Sequence, residues 1–238
     1  MTKAAALIFA GGIGVRMNTR ALPKQFLIIN GKPVLIHTLE IFEKNRLIDG
    51  IVLVMTKDWI NYTKDLLNKY NITKTKAVVI GGNTGQQSIY NGLKTLAKIY
   101  DPSCAILLHD GVRPFIDDEL IEKNLETVKI YNGAISAVKM KETPVIAEDG
   151  SVFDLPEKER CWIARAPQTF FLKDILAAHE KARFEKKYNF VDSCTLMCHY
   201  GAKPRIVECK SDNIKMTTPD DFYVFRALFD KKENEQLL

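Results

Sequence analysis

The segments AAALIFA, IDGIVLVMT, KAVVIGG and CAILLHD are continuous apolar runs rather than alternating ones, and they constrain this chain more than any other feature. A strand buried on both faces reads as an unbroken apolar run, whereas a strand with one wet face alternates. The stretches between the runs are amphipathic: HTLEIFEKN places Leu39 and Phe42 on one face, and residues 59–70, 88–100 and 117–131 repeat the helical spacing. Further helices are expected over 173–187, 192–200 and 220–231, with a strand at KPRIVEC. Helices interleaved with doubly buried strands predict an α/β, Rossmann-like fold, a mostly parallel sheet with helices on both faces.

Between residues 138 and 160 the pattern changes. VKMKETPVIAEDGSVFDLPEKER alternates, holds two prolines and carries the pair Asp149-Gly150, a strong signal for a tight hairpin turn. This segment is expected to protrude as a β-arm. With no repeat, low-complexity stretch or linker, residues 1–238 are expected to form one domain bearing that arm.

A 46% hydrophobic share with 26% charged residues supplies a core and argues against general disorder. The net charge of +5 is spread along the chain. Nucleic-acid binding leaves a concentrated basic footprint on a recognisable module, so no nucleic-acid partner is expected. No apolar run approaches the ~20 residues of a membrane helix, so no membrane partner is expected either. MTKAAALIFAGG leads into glycines rather than a cleavage site and reads as a buried strand, not a signal peptide. Five cysteines, odd in number and loosely spaced, fit free thiols in a reducing cytoplasm. Cys194, Cys198 and His199 lack a second ligand pair, and their spacing reads as one helix face rather than a metal site.

The strongest chemical signal is LIFAGGIGVRMNTRALPKQF. A strand ending in Gly11, Gly12 and Gly14 lets backbone amides approach an anion, and Arg16 and Lys24 follow closely. Bare amides with two cations suit a triphosphate. The Walker Gly-Lys-Ser/Thr ending is absent. The dinucleotide fingerprint fails as well, because Met17 stands where its third glycine belongs and the second strand ends VMTKD without a clear ribose-binding acid. A dinucleotide-dependent oxidoreductase is therefore disfavoured. A non-catalytic nucleotide-binding module would have no use for the carboxylates and cations further along the chain.

AGGIGVRM with PKQF resembles the opening of the α/β nucleotidyltransferases, and HDGVRPF, APQTF and DNIKMTTPDD narrow the likeness. From residue 4 to about 228 the chain is similar to the cytidylyltransferases acting on 2-C-methyl-D-erythritol 4-phosphate and on ribitol 5-phosphate. The resemblance implies transfer of CMP from CTP to a polyol phosphate with Mg²⁺, releasing pyrophosphate. Ribitol 5-phosphate is the favoured acceptor, on the block FVDSCTLM, with 2-C-methyl-D-erythritol 4-phosphate as the alternative. A phosphate monoester is already a nucleophile, so positioning and charge neutralisation carry such a reaction.

The resemblance further implies roles by position. Ala10, Gly11, Gly12, Gly14, Gly81, Gly82, Ser88 and Asp110 would bind CTP. Arg16, Lys24 and Lys215 would stabilise the transition state, and Asp110 with Asp212 would hold Mg²⁺. Arg113 would either contact substrate or brace its loop. Thr143 and either Lys158 or Arg160, on the arm, would reach the acceptor phosphate of a second subunit, making a homodimer. Asp192 would face the acceptor hydroxyls or simply cap a helix. Asn83 and Gly85 depart from the acid and arginine usual in the base-binding loop. Ala164, Arg165 and Ala166 replace a more polar run before Pro167 and Gln168.

Overall fold

The computed structural model describes residues 4–11 and 22–235. In chain order these form β1 (Ala4–Phe9), a small hairpin of β2 (Ile28–Ile29) and β3 (Lys32–Pro33), α1 (Val34–Lys44), β4 (Gly50–Met55), α2 (Ile60–Lys69) and β5 (Thr75–Ile80). Then come α3 (Gly85–Leu96), β6 (Ala105–Asp110), α4 (Asp118–Tyr131), β7 (Gly133–Lys139), β8 (Ile146–Glu148) and β9 (Ser151–Asp154). The chain continues through β10 (Trp162–Phe171), α5 (Leu172–Phe184), α6 (Ser193–His199), β11 (Arg205–Glu208) and α7 (Pro219–Glu235).

Seven strands make the central sheet in the order β11-β7-β10-β6-β1-β4-β5. β1 lies parallel to β4 and β6, β4 to β5, and β7 to β11. Only β10 runs antiparallel to its neighbours, β6 and β7. The fold is thus a mixed, mostly parallel α/β sheet, as the apolar runs predict.

Alternation along β1 explains why those runs are unbroken. Ala4, Ala6 and Ile8 pack on one face with Leu35 and Leu39 of α1, Leu66 of α2 and Leu120 of α4. Ala5 and Leu7 pack on the other with Leu93 of α3, Ile175 of α5 and Leu196 of α6. Both faces are dry, so neither set of positions can be polar. A third apolar cluster sets Phe225 and Phe229 of α7 against Val112 and Phe115, which pins the segment following β6.

Three local details differ from expectation. β7 and β10 are sheet strands that the apolar-run criterion passes over, and Val138 and Lys139 belong to β7 rather than to the arm. The arm's own sheet is the pair β8 and β9, and its turn is the expected one, with Asp149 at φ 49 and Gly150 at φ 81. α3 begins at Gly85 instead of residue 88, because the Thr84 hydroxyl accepts the Gln87 amide and caps the helix there.

Candidate active site

Open α/β sheets bind ligands beyond the carboxyl ends of their strands. Here a cavity of about 620 Å³ opens at that edge, walled by the ends of β1 and β6, the loop after β5, the middle of β10 and the start of α6. Its lining includes Ala10, Gly11, Lys24, Gly82, Ser88, Asp110, Arg113, Asp192 and Lys215. Nine of the sequence-predicted positions therefore converge on one space.

Asp110, the last residue of β6, is the electrostatic centre. Its Oδ1 accepts from Lys215 Nζ at 2.6 Å and its Oδ2 from Arg113 Nε at 3.1 Å. Burial by itself would raise the carboxyl pKa, but Lys215 and Arg113 outweigh it and hold the group at about 2. Arg113 also donates from Nη1 to the Asn213 carbonyl at 2.8 Å, so it braces the loop while its side chain lines the cavity. Behind them, His109 Nε2 lies 2.9 Å from the Arg113 carbonyl. A carbonyl only accepts, so Nε2 carries the proton. Burial depresses this histidine to about 4, which keeps it neutral.

The segment 212–217 is lashed down from several sides. Met216 N donates to the Val112 carbonyl at 3.1 Å, and Asn213 Nδ2 donates to the Ala166 carbonyl at 2.8 Å. Lys24 Nζ donates to the Met216 carbonyl at 2.7 Å. Lys24 and Lys215, far apart in sequence, are thus set on one stretch of wall. Gly111 permits the close crossing at the end of β6, because a Cβ there would stand 2.7 Å from that of Ala10.

The loop after β5 is organised by Ser88, whose Oγ accepts from the Gly82 amide at 3.0 Å and donates to the Thr84 carbonyl at 2.9 Å. Gly81 adjoins this loop but does not line the cavity. Across the space, Asp192 caps α6 by accepting the Thr195 amide, and its other oxygen accepts from Gln168 Nε2 at 2.9 Å. Gln168 Oε1 accepts the Cys194 amide at 2.8 Å. Asp192 is both a helix cap and a cavity residue.

Asp212, Thr143, Lys158 and Arg160 do not line the cavity of this chain. Thr143 and Lys158 are exposed on the arm segment, and Arg160 pairs with Glu157 at 3.7 Å. Gly12, Gly14 and Arg16 lie outside the described residues. The motif reading assigns no role to two cavity residues that it names: Gln168, which positions Asp192, and Arg165, a cation on β10.

The donor set bears on Mg²⁺. No group of three or more His, Cys, Asp or Glu arranged to hold a metal occurs among the described residues, and Asp212 stays out of the cavity. Asp110 already carries a cation on each oxygen. Asp110 would be the protein's ligand to a hard divalent ion, with phosphate and water supplying the remaining oxygens. No helix among the described residues is long and apolar enough to cross a membrane.

Comparison with known proteins identifies the family. A ribitol-5-phosphate cytidylyltransferase of Streptococcus agalactiae is 46% identical over 232 residues, 97% of each chain. One of Vibrio parahaemolyticus is 46% identical over 98% of each. A 2-C-methyl-D-erythritol 4-phosphate cytidylyltransferase of Geobacter metallireducens is 36% identical over 95% of this chain and 97% of its own. Among solved structures, 4-diphosphocytidyl-2C-methyl-D-erythritol synthase from Anaerococcus prevotii superposes with a TM-score of 0.83 at 31% identity, over 96% of both chains. Residues 4–231 match the family described as IspD, 2-C-methyl-D-erythritol 4-phosphate cytidylyltransferase. A buried carboxylate flanked by cations at the strand ends, on a chain matched over nearly its full length, makes this protein a member of that family and a nucleotidyltransferase enzyme, a cytidylyltransferase.

Proposed function

We propose that the chain transfers CMP from CTP to ribitol 5-phosphate. An oxygen of the acceptor phosphate forms a bond to the α-phosphorus of CTP, and the bond from that phosphorus to the oxygen bridging to the β-phosphate breaks. CDP-ribitol and pyrophosphate result. The observation that carries the reading is the placement of Lys215 and Arg113 on Asp110 at the strand ends, with Lys24 lining the same cavity. Two anions must meet there, and fixed cations offset the repulsion without reorganising during the reaction.

In this reading the Gly82–Ser88 loop receives the nucleoside, because Gly82, Asn83, Thr84, Gly85 and Ser88 line the cavity beside β5. The amide of Gly11 and the ammonium of Lys24 receive the triphosphate. Asp110 fixes Lys215 and Arg113 so that their charge points at a set position rather than sampling solvent. Mg²⁺, when bound at Asp110 with the phosphates, would supply further charge neutralisation.

We also place this activity in a single domain of the reducing cytoplasm, with the arm joining a second copy. The five cysteines are all thiols. The arm leaves Val152, Phe153 and Leu155 more than 60% exposed, and a lone two-stranded hairpin is marginal in water.

The acceptor preference draws on relatives bearing the ribitol name at 46% identity, against 36–39% for those named for 2-C-methyl-D-erythritol 4-phosphate. The second acceptor stays in view because the family description and the Anaerococcus neighbour both carry it. Pyrophosphate release with CTP, Mg²⁺ and each acceptor separately tests the choice. Release with ribitol 5-phosphate at least tenfold faster per enzyme supports the proposal, and the reverse ranking replaces it.

A further inference from the structure

The cavity lining contains a cation that the proposed chemistry has not yet used. Arg165 lies on β10 where the register with β7 shifts, between Ala164 and Gln168. A bulge of this kind re-aims side chains, and here it turns Arg165 into the cavity wall. Its Nε is buried with no hydrogen-bond partner, and no carboxylate among the described residues lies within ion-pair distance of it. Burial lowers its pKa, and the nearby positive charge of Arg113 lowers it further.

Two guanidiniums that repel each other, one of them half-buried with its Nε lacking a partner, make an unfavourable arrangement. Arg113 has Asp110 as its counter-ion, but Lys215 shares that same carboxylate. Among the described lining residues, Arg113, Arg165 and Lys215 share only the carboxylates Asp110 and Asp192. Asp192 is engaged by the Thr195 amide and Gln168. The deficit is one of negative charge, located on the β10 side. A phosphate dianion would correct it, and a guanidinium fork matches phosphate geometry.

Sheet order identifies which phosphate. The nucleoside loop follows β5 at one edge, and Gly11 and Lys24 lie near the end of β1. β10 lies beyond β6, on the opposite flank from β5. In-line transfer requires the attacking and leaving oxygens on opposite sides of the α-phosphorus. A nucleotide entering from β5 across β1 leaves the β10 flank for the attacking group.

We infer that Arg165, acting with Arg113, binds the phosphate of the acceptor and is a binding residue for the second substrate. The inference rests on the proposed cytidylyl transfer for the identity of that phosphate. The anion site itself stands on the unpartnered guanidinium at the β10 bulge.

The test compares the wild-type full chain with Arg165→Gln and Arg165→Lys. Arg165→Gln is expected to raise the acceptor KM about tenfold to a hundredfold, with the CTP KM changed less than twofold, since charge-assisted hydrogen bonds contribute about 1.5–3 kcal/mol. Arg165→Lys should fall between. Thermal stability of Arg165→Gln should stay level or rise, because a repulsive charge is removed; a purely structural arginine would lower it. An unchanged acceptor KM, or a rise confined to CTP, overturns the inference. Titration with inorganic phosphate separates this result from the wider reading. If the wild type turns over neither polyol phosphate, the proposed function fails, and the phosphate Kd still decides on Arg165. A Kd weakened about tenfold in Arg165→Gln supports the anion site, and equal Kd values overturn it.

Discussion

Lys215 Nζ stands 2.6 Å from Asp110 Oδ1 while Arg113 Nε occupies the other oxygen, so one buried carboxylate organises two cations from separate segments. Asp110→Asn keeps the shape and removes the charge, leaving the Arg113 guanidinium buried without its counter-ion. The expected cost is about 3–5 kcal/mol of stability, measured by urea unfolding. Turnover should fall by about a hundredfold or more, because Lys215 and Arg113 lose their fixed positions. A variant as stable as the parent would show that the pair does not hold the 110–113 loop.

Gly82 has no room for a side chain. A Cβ there would meet Gln87 in the first turn of α3, with the Gln87 Cβ only 2.6 Å away. Gly82→Ala should therefore push the loop off Ser88 and raise the CTP KM by about tenfold, from the loss of one or two hydrogen bonds to a charged ligand. The acceptor KM should hold steady. Steady-state kinetics varying each substrate in turn decides this, and equal effects on both would place the damage outside the nucleoside loop.

His109 and His179 give the fold a pH signature. Burial holds each near 4 against an ordinary value of 6.5. Both are neutral when folded, while the unfolded chain takes up protons below 6.5. Between pH 6.5 and 4 the unfolded state binds more protons, so stability falls as the pH falls, by up to roughly 3 kcal/mol per histidine. Asp110 acts lower: its folded value near 2 stabilises above 3.8, a contribution lost as the pH drops toward 2. Urea midpoints should be level between pH 7 and 8 and decline from 6.5 to 4. His179→Phe keeps the contact with Tyr90 and should lessen that decline, with His109 and the burial-lowered His37 accounting for the remainder.

Phe153 on the arm is 67% exposed beside Val152 at 63%. Phe153→Asp places a charge in the centre of that apolar strip. Sedimentation velocity should show the parent as a dimer and the variant at half the mass, with the thermal midpoint of the domain nearly unchanged. A monomeric parent would remove the assembly reading.

The strands at the sheet's centre were legible because burial on both faces leaves no polar position to confuse the pattern, as in AILLHD of β6. β10 hid for the opposite reason. Its WIARAPQTFF carries Arg165, Pro167 and Gln168, which argue against a central strand, and the two polar ones, Arg165 and Gln168, wall the cavity. β7, GAISAVK, is built from small residues with little apolar bulk and follows Asn132 in the left-handed conformation that ends α4. Lys24, Asp110 and Lys215 could be picked out by their motifs. Arg165 and Gln168 lie at the APQTF motif, yet their roles could not be read from it, since they arise from the bulge at Arg165 and from the contacts of Gln168 with Asp192 and Cys194 across a gap in sequence. Asp212 shows the converse: it shares a motif with Lys215, yet it stays out of the cavity that Lys215 lines.

The antiparallel strand β10 also dictates an order of assembly. β1, β4, β5 and β6 come from the first 110 residues and can pair with each other through local crossovers, whereas β7 and β11 join that block only through β10. A nascent chain emerging from its N-terminus therefore has a paired half-sheet with β6 as a bare edge until residue 171 is available to cover it. Chains cut before Phe171 should be sticky and inactive, because the β10 wall of the cavity is incomplete and the Asp192 and Lys215 segments that finish the cavity are absent.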